Sequence, residues 1–116
     1  MSAAGTKPPQ YRTAMAEDQG MLFAFEGQTT VPFWMKDTLL PLSIAFVADT
    51  GRIVDIQDMQ PQDLTLHNPA APYTYAIEVN QGYFRRHAIA VGDHVTLPVL
   101  PTATPIRFAT PPAAPP

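Results

Sequence analysis

Cysteine is absent from the 116 residues, which excludes a disulfide framework, thiolate metal sites and a cysteine nucleophile. Charge is sparse. Only 15% of residues are Asp, Glu, Lys or Arg, the net charge is −3, and the few cations are scattered apart from Arg85-Arg86. That leaves no basic footprint for nucleic acid or for an anionic membrane surface. No apolar run reaches the roughly 20 residues of a membrane-spanning helix. The first residues, Met1-Ser2-Ala3-Ala4-Gly5, lack the basic and apolar regions of a signal peptide, although a trimmed exported protein would read the same way. Serine occurs only at positions 2 and 43, and neither sits in a G-x-S-x-G turn. Glycine-rich phosphate loops are missing too.

Apolar residues are plentiful at 46%, and proline is abundant with fourteen copies, seven of them at or beyond position 98. A chain of this length and composition supports one domain with a modest core. The proline placement divides it into a flexible tail over 1–10, a folded body over 11–97 and a Pro-rich extension over 98–116. Within the extension, Ile106 and Phe108 alternate with Arg107 and Ala109, so residues 104–110 are a candidate added strand.

The body is patterned mostly with period two. Met21, Phe23 and Phe25 alternate with Leu22, Ala24 and Glu26. Ile44 to Val47 and Arg52 to Ile56 flank Ala48-Asp49-Thr50-Gly51, which reads as a hairpin. Tyr73, Tyr75, Ile77 and Val79 define one strand face, with Thr74, Ala76, Glu78 and Asn80 on the other. A last strand is expected from His94 to Leu97. One short helix is expected after Asn80, capped by that residue, with Phe84 and Ala88 on one face. The fold class is mainly β, a sandwich of jelly-roll type or a partly closed barrel, with one short helix.

Chemistry concentrates around Phe33-Trp34-Met35-Lys36-Asp37-Thr38. In an extended strand Phe33 and Met35 face one way and Trp34 and Lys36 the other. The only tryptophan then lies beside a cation, a platform suited to a carboxylate, a phosphate or a sugar ring. The structural alternative is a core tryptophan beside a lysine whose stem covers apolar surface. Glu78 stands mid-strand among apolar residues, where a lone carboxylate is costly. Lys36 is its expected partner, as a register-fixing ion pair or as an acid–base pair. The long connection 59–73 is placed to cover one side of a groove floored by Trp34. The candidate ligand-binding set is therefore Trp34, Lys36, Asp37, Tyr75, Glu78 and Asn80. No metal and no cofactor is expected. Asp37, Asp55, Asp58 and Asp63 lack calcium-loop spacing, and His67, His87 and His94 form no H-x-x-x-H pattern.

Several segments together resemble the DUF192 family of bacterial and archaeal proteins. They are Gly20-Met21-Leu22-Phe23-Ala24-Phe25, Phe33 to Thr38, Pro41 to Val47, Gly51-Arg52-Ile53-Val54, Ala76 to Gly82, and Ile89-Ala90-Val91-Gly92-Asp93. The resemblance spans residues 12–97 and implies a small, mainly β domain, with no activity attached. Family members often carry asparagine where this chain has Asp37, and many carry cysteine in the segment matching Pro61-Gln62-Asp63. The family also opens with a strand and a Glu-Arg-containing segment that residues 1–11 do not supply, which would leave a sheet edge open. Members often carry export signals, which fits a trimmed mature form.

Three functions are compatible with these residues. One is a non-enzymatic binding domain with a groove near Trp34, Lys36 and Glu78 for a small polar ligand or a peptide. Another is an accessory protein that pairs with a partner or itself through an open sheet edge. The third is a small enzyme using Lys36 and Glu78, for which no catalytic constellation is otherwise written.

Overall fold

The alternating segments become strands. The structure, a computed structural model, describes residues 2–3, 16–17, 19–96 and 103–107. In chain order these contain β1 (Ser2–Ala3), β2 (Gln19–Thr29), β3 (Phe33–Trp34), β4 (Leu42–Val47), β5 (Ile53–Met59), β6 (Tyr73–Asn80), the one-turn helix α1 (Tyr83–Arg86) and β7 (Ala103–Arg107). Five strands form an antiparallel sheet in the order β5-β4-β6-β2-β7, and β1 pairs with β3 separately. The protein is thus mainly β with one short helix. Its sheet stays open, so no barrel closes.

Both faces of this sheet are buried, because each strand sends apolar residues both ways. Met21 and Phe23 of β2 join Leu42, Ile44 and Phe46 of β4, Met59 of β5 and Ala76 of β6 on one face. Phe33, Met35, Leu40 and Tyr73 cover that face. Edge-to-face rings knit the cover to the sheet, with centroids 5.3 Å apart for Phe23 and Phe33 and 4.8 Å for Phe46 and Tyr73. On the opposite face Leu22, Ala45, Val47, Ile53, Ile77 and Val79 pack beneath Tyr83 and Phe84 of α1, with Ile89 and Val95 alongside. Each such large side chain withdrawn from water contributes about 1.5–3 kcal/mol, so the helix is held by its two aromatics and not by its own short hydrogen-bond ladder.

The hairpin β4–β5 forms with Ala45 opposite Ile56 and a register shift between Phe46 and Val47. Gly51 supplies the turn at φ +91°, and a Cβ there would lie 2.4 Å from the Val95 carbonyl oxygen. Only glycine meets both demands.

Four local expectations are corrected. Asn80 ends β6 and does not cap α1. The capping position is Gly82, in the left-handed region at φ +87°, with no side-chain cap. Ser43 of another strand anchors the residue before the helix, its Oγ accepting the Gly82 N–H at 3.0 Å. Ala88 lies past the helix end at φ +55° and shares no helical face with Phe84. Of the strand expected from His94 to Leu97, residue 97 lies outside the described residues, and His94 makes only a single bridge with Arg52, because the turn at Ala90–Asp93 delivers Val95 directly to the Gly51 carbonyl. Tyr73, at the mouth of β6 where the β2 register shifts between Ala24 and Thr29, packs with Phe46 and Ala76 and not with Ile77.

β7 runs antiparallel to β2, from Gln19 opposite Arg107 to Phe23 opposite Ala103. Residues 108–110, the rest of the candidate added strand, lie outside the described residues. So do most of the 1–10 tail and most of the extension. No helix among the described residues is long and apolar enough to cross a membrane.

Candidate functional site

The cover over the first sheet face is made from two loops zipped together. Phe33 and His67 exchange backbone hydrogen bonds of 3.1 and 2.6 Å, the Met35 N–H donates to the Asp63 carbonyl, and the Gln62 N–H donates to the Thr38 carbonyl. This ladder turns Phe33 and Met35 inward, where both are fully buried. Trp34 is left half-buried and Lys36 exposed. The chain then turns sharply: Asp37 takes φ +58°, and the Thr38 N–H donates to the Met35 carbonyl at 3.1 Å. As a result the Lys36 Nζ stands 5.4 Å from the Trp34 ring centroid, a cation–π arrangement on the protein surface.

The same loops expose apolar side chains. Leu39, Leu64 and Leu66 are exposed by 37%, 64% and 49%, and the ladder carries them on the same pair of loops as Trp34 and Lys36. Hydrogen bonds from Thr65 hold the Asp63 carboxyl below its ordinary value, and His67 Nε2 lies 3.8 Å from it. The 59–73 connection is thus pinned at several points, including Gln57 Nε2 to the Asn68 carbonyl and the Ala70 N–H to the Asp55 carboxylate.

The other candidate residues are distributed elsewhere. Glu78 is fully buried on the first sheet face, opposite Met21 of β2 and Ile44 of β4. Neither carboxyl oxygen has a hydrogen-bond partner among the described residues, and no ion pair joins it to Lys36. Burial therefore raises its pKa well above the ordinary carboxylate range. Asn80 sits at the end of the same strand, half-buried, with its Nδ2 donating to the Ala16 carbonyl at 3.3 Å. Tyr75 faces the opposite side, where it helps line a hollow with Asp49, Thr50, Gly51, Val95 and Thr96. Trp34, Lys36 and Asp37 form one surface neighbourhood; Glu78 lies in the core and Tyr75 behind the sheet.

Two arrangements escaped the sequence reading. Arg86 makes a bidentate pair with Glu17 at 2.8 Å through both Nε and Nη2, next to His87. Ser43, buried in β4, donates to Asp58 Oδ1 at 2.6 Å at the floor of a cleft beside α1. A lone serine inside an apolar strand was the only signal for the second. For the first there was none, since the partners are far apart in sequence. Among the described residues no three His, Asp or Glu side chains gather as a metal site would require.

An open antiparallel sheet clad on one side by zipped loops and on the other by a single helical turn defines a small, mainly β domain. The chain belongs to the DUF192 family, described as "Uncharacterized ACR", whose model matches residues 10–97. It is similar to a solved protein from Sinorhizobium meliloti 1021, described as a "putative transcription regulator", with 37% identity and a TM-score of 0.71 over 73% of this chain and 67% of that one. It is also similar to a protein of unknown function from Novosphingobium aromaticivorans DSM 12444, with 32% identity and a TM-score of 0.73 over 76% of this chain and 64% of that one. No curated protein matches the chain.

Proposed function

We propose that the protein is a non-enzymatic binding domain whose Trp34–Lys36 surface receives a carboxylate-bearing small polar ligand or an extended peptide. The observation that carries this reading is the exposed Lys36 ammonium held over the Trp34 ring, on loops that also expose Leu39, Leu64 and Leu66. A cation on an aromatic face offers a carboxylate a charged hydrogen-bond donor, and the leucines offer apolar contact to the groups around it. Leucines exposed on a braced loop, and not tucked into the core beneath, are what a recognition surface calls for. The reading needs no acid–base pair, and Lys36 and Glu78 do not form one among the described residues. It also uses the 59–73 connection as a fixed wall rather than a moving lid.

Trp34 is the sole tryptophan, so its fluorescence reports directly on this surface. Titrating acidic peptides rich in leucine should change that emission saturably. Lys36→Ala should weaken the binding about fivefold to tenfold while the unfolding midpoint stays in place, since removing an exposed charge costs little stability. Equal affinity in the wild type and Lys36→Ala would remove the surface from consideration.

A further inference from the structure

The second sheet face holds a cleft of about 220 Å³ lined by Ser43, Ile56, Asp58, Gly82, Phe84, Arg85 and Ile89. Its polar end is a relay. The Gly82 N–H donates to Ser43 Oγ at 3.0 Å, and Ser43 in turn donates to Asp58 Oδ1 at 2.6 Å. Ser43 is 1% exposed, so this buried hydroxyl fixes the carboxylate from below. The second oxygen, Oδ2, turns to the rim, where Arg85 Nη2 lies 3.6 Å away. That pair is loose: the Arg85 side chain is 81% exposed and Asp58 43%, a geometry in which water screens most of the attraction. Ile56, Phe84 and Ile89 supply apolar walls behind the two charges.

We infer that this cleft binds a free apolar α-amino acid. Its ammonium would sit on Asp58 Oδ2, its carboxylate on the Arg85 guanidinium, and its side chain against Ile56, Phe84 and Ile89. Adjacent opposite charges above an apolar wall complement the one small-molecule class that carries an ammonium and a carboxylate on the same carbon. An amine alone would leave Arg85 without an anion, and an acid alone would face the fixed Asp58 carboxylate. The volume is below the range typical of drug-sized ligands, which suits a molecule of this size. The loose Asp58–Arg85 pair is the contact that the ligand replaces with two charge-assisted hydrogen bonds.

The test is an amide NMR titration of the full chain with L-leucine, with isopentylamine and isovalerate as single-charge controls. The expected result is saturable shifts at Ser43, Asp58, Gly82, Phe84 and Ile89 with leucine, and weaker binding of both controls. Asp58→Asn and Arg85→Gln should each weaken leucine binding about tenfold, with amide dispersion preserved. Trp34→Ala should leave leucine binding unchanged, which separates this site from the Trp34–Lys36 surface. Absence of shifts at millimolar leucine would overturn the inference. So would isovalerate binding as tightly as leucine with no response to Asp58→Asn.

Discussion

Glu78 is a carboxylate buried mid-strand, opposite Met21 of β2 and Ile44 of β4. Its cost was legible, because a carboxylate flanked by Ala76, Ile77 and Val79 cannot stay ionised without help. Its partner was not. Lys36 is carried outward by the turn at Asp37 and rests on Trp34, a displacement set by the ladder to residues 62–67 that no local spacing encodes. With burial as the cause of the raised pKa, Glu78 keeps its proton well above the ordinary value of 4.5. The folded state then binds a proton that the unfolded chain has released. The stability from this linkage is fully present below about pH 4.5 and is lost as pH rises towards the folded pKa, at about 1.4 kcal/mol per unit. Urea unfolding between about pH 5 and about pH 8 should show the wild type losing stability relative to Glu78→Gln, whose neutral amide has no such linkage. Parallel profiles for the two proteins would mean that Glu78 is ionised in the fold.

At the scale of elements, hairpins were the most readable parts and ends the least. The β4–β5 hairpin follows from two apolar runs around a glycine, because the turn is decided by the few residues that form it. The prediction here is energetic. Gly51→Ala forces a side chain into the left-handed region and against the Val95 carbonyl, so it should lower stability by about 1–3 kcal/mol in a denaturant titration. No change would mean both that residue 51 is not held in the left-handed region and that the segment after Asp93 is not docked on the turn. The helix was legible as an element but not in its cap. Asn80 has the right chemistry, yet β6 continues through it and the helix starts two residues later at a left-handed glycine. The helix start is instead tied down by Ser43, which accepts the Gly82 N–H, a contact across the fold that local pattern cannot show. The face of Tyr73 was misjudged for a related reason, since the register of its neighbour strand shifts at that point.

For the whole molecule, the two-residue period and the family resemblance together were enough for the fold class. They could not say that both sheet faces are buried, since alternating apolar residues of unequal size read as one inward and one outward face. That second layer matters for function. It divides the candidate residues, with Trp34, Lys36 and Asp37 on the loops over one face, Glu78 in the core beneath them, and Tyr75 on the far side. It also creates the Ser43–Asp58 cleft, walled by Phe84 and Arg85 of α1 on one side and Ser43, Ile56 and Asp58 of the sheet on the other. Under the proposed function, the Trp34–Lys36 surface is where this protein meets its ligand. The most direct measurement is a two-dimensional amide spectrum recorded against pooled carboxylate-bearing peptides and metabolites. One pool should shift the Trp34 indole, Lys36 and the amides of residues 62–67 together. A well-dispersed spectrum in which no pool disturbs those signals would contradict it.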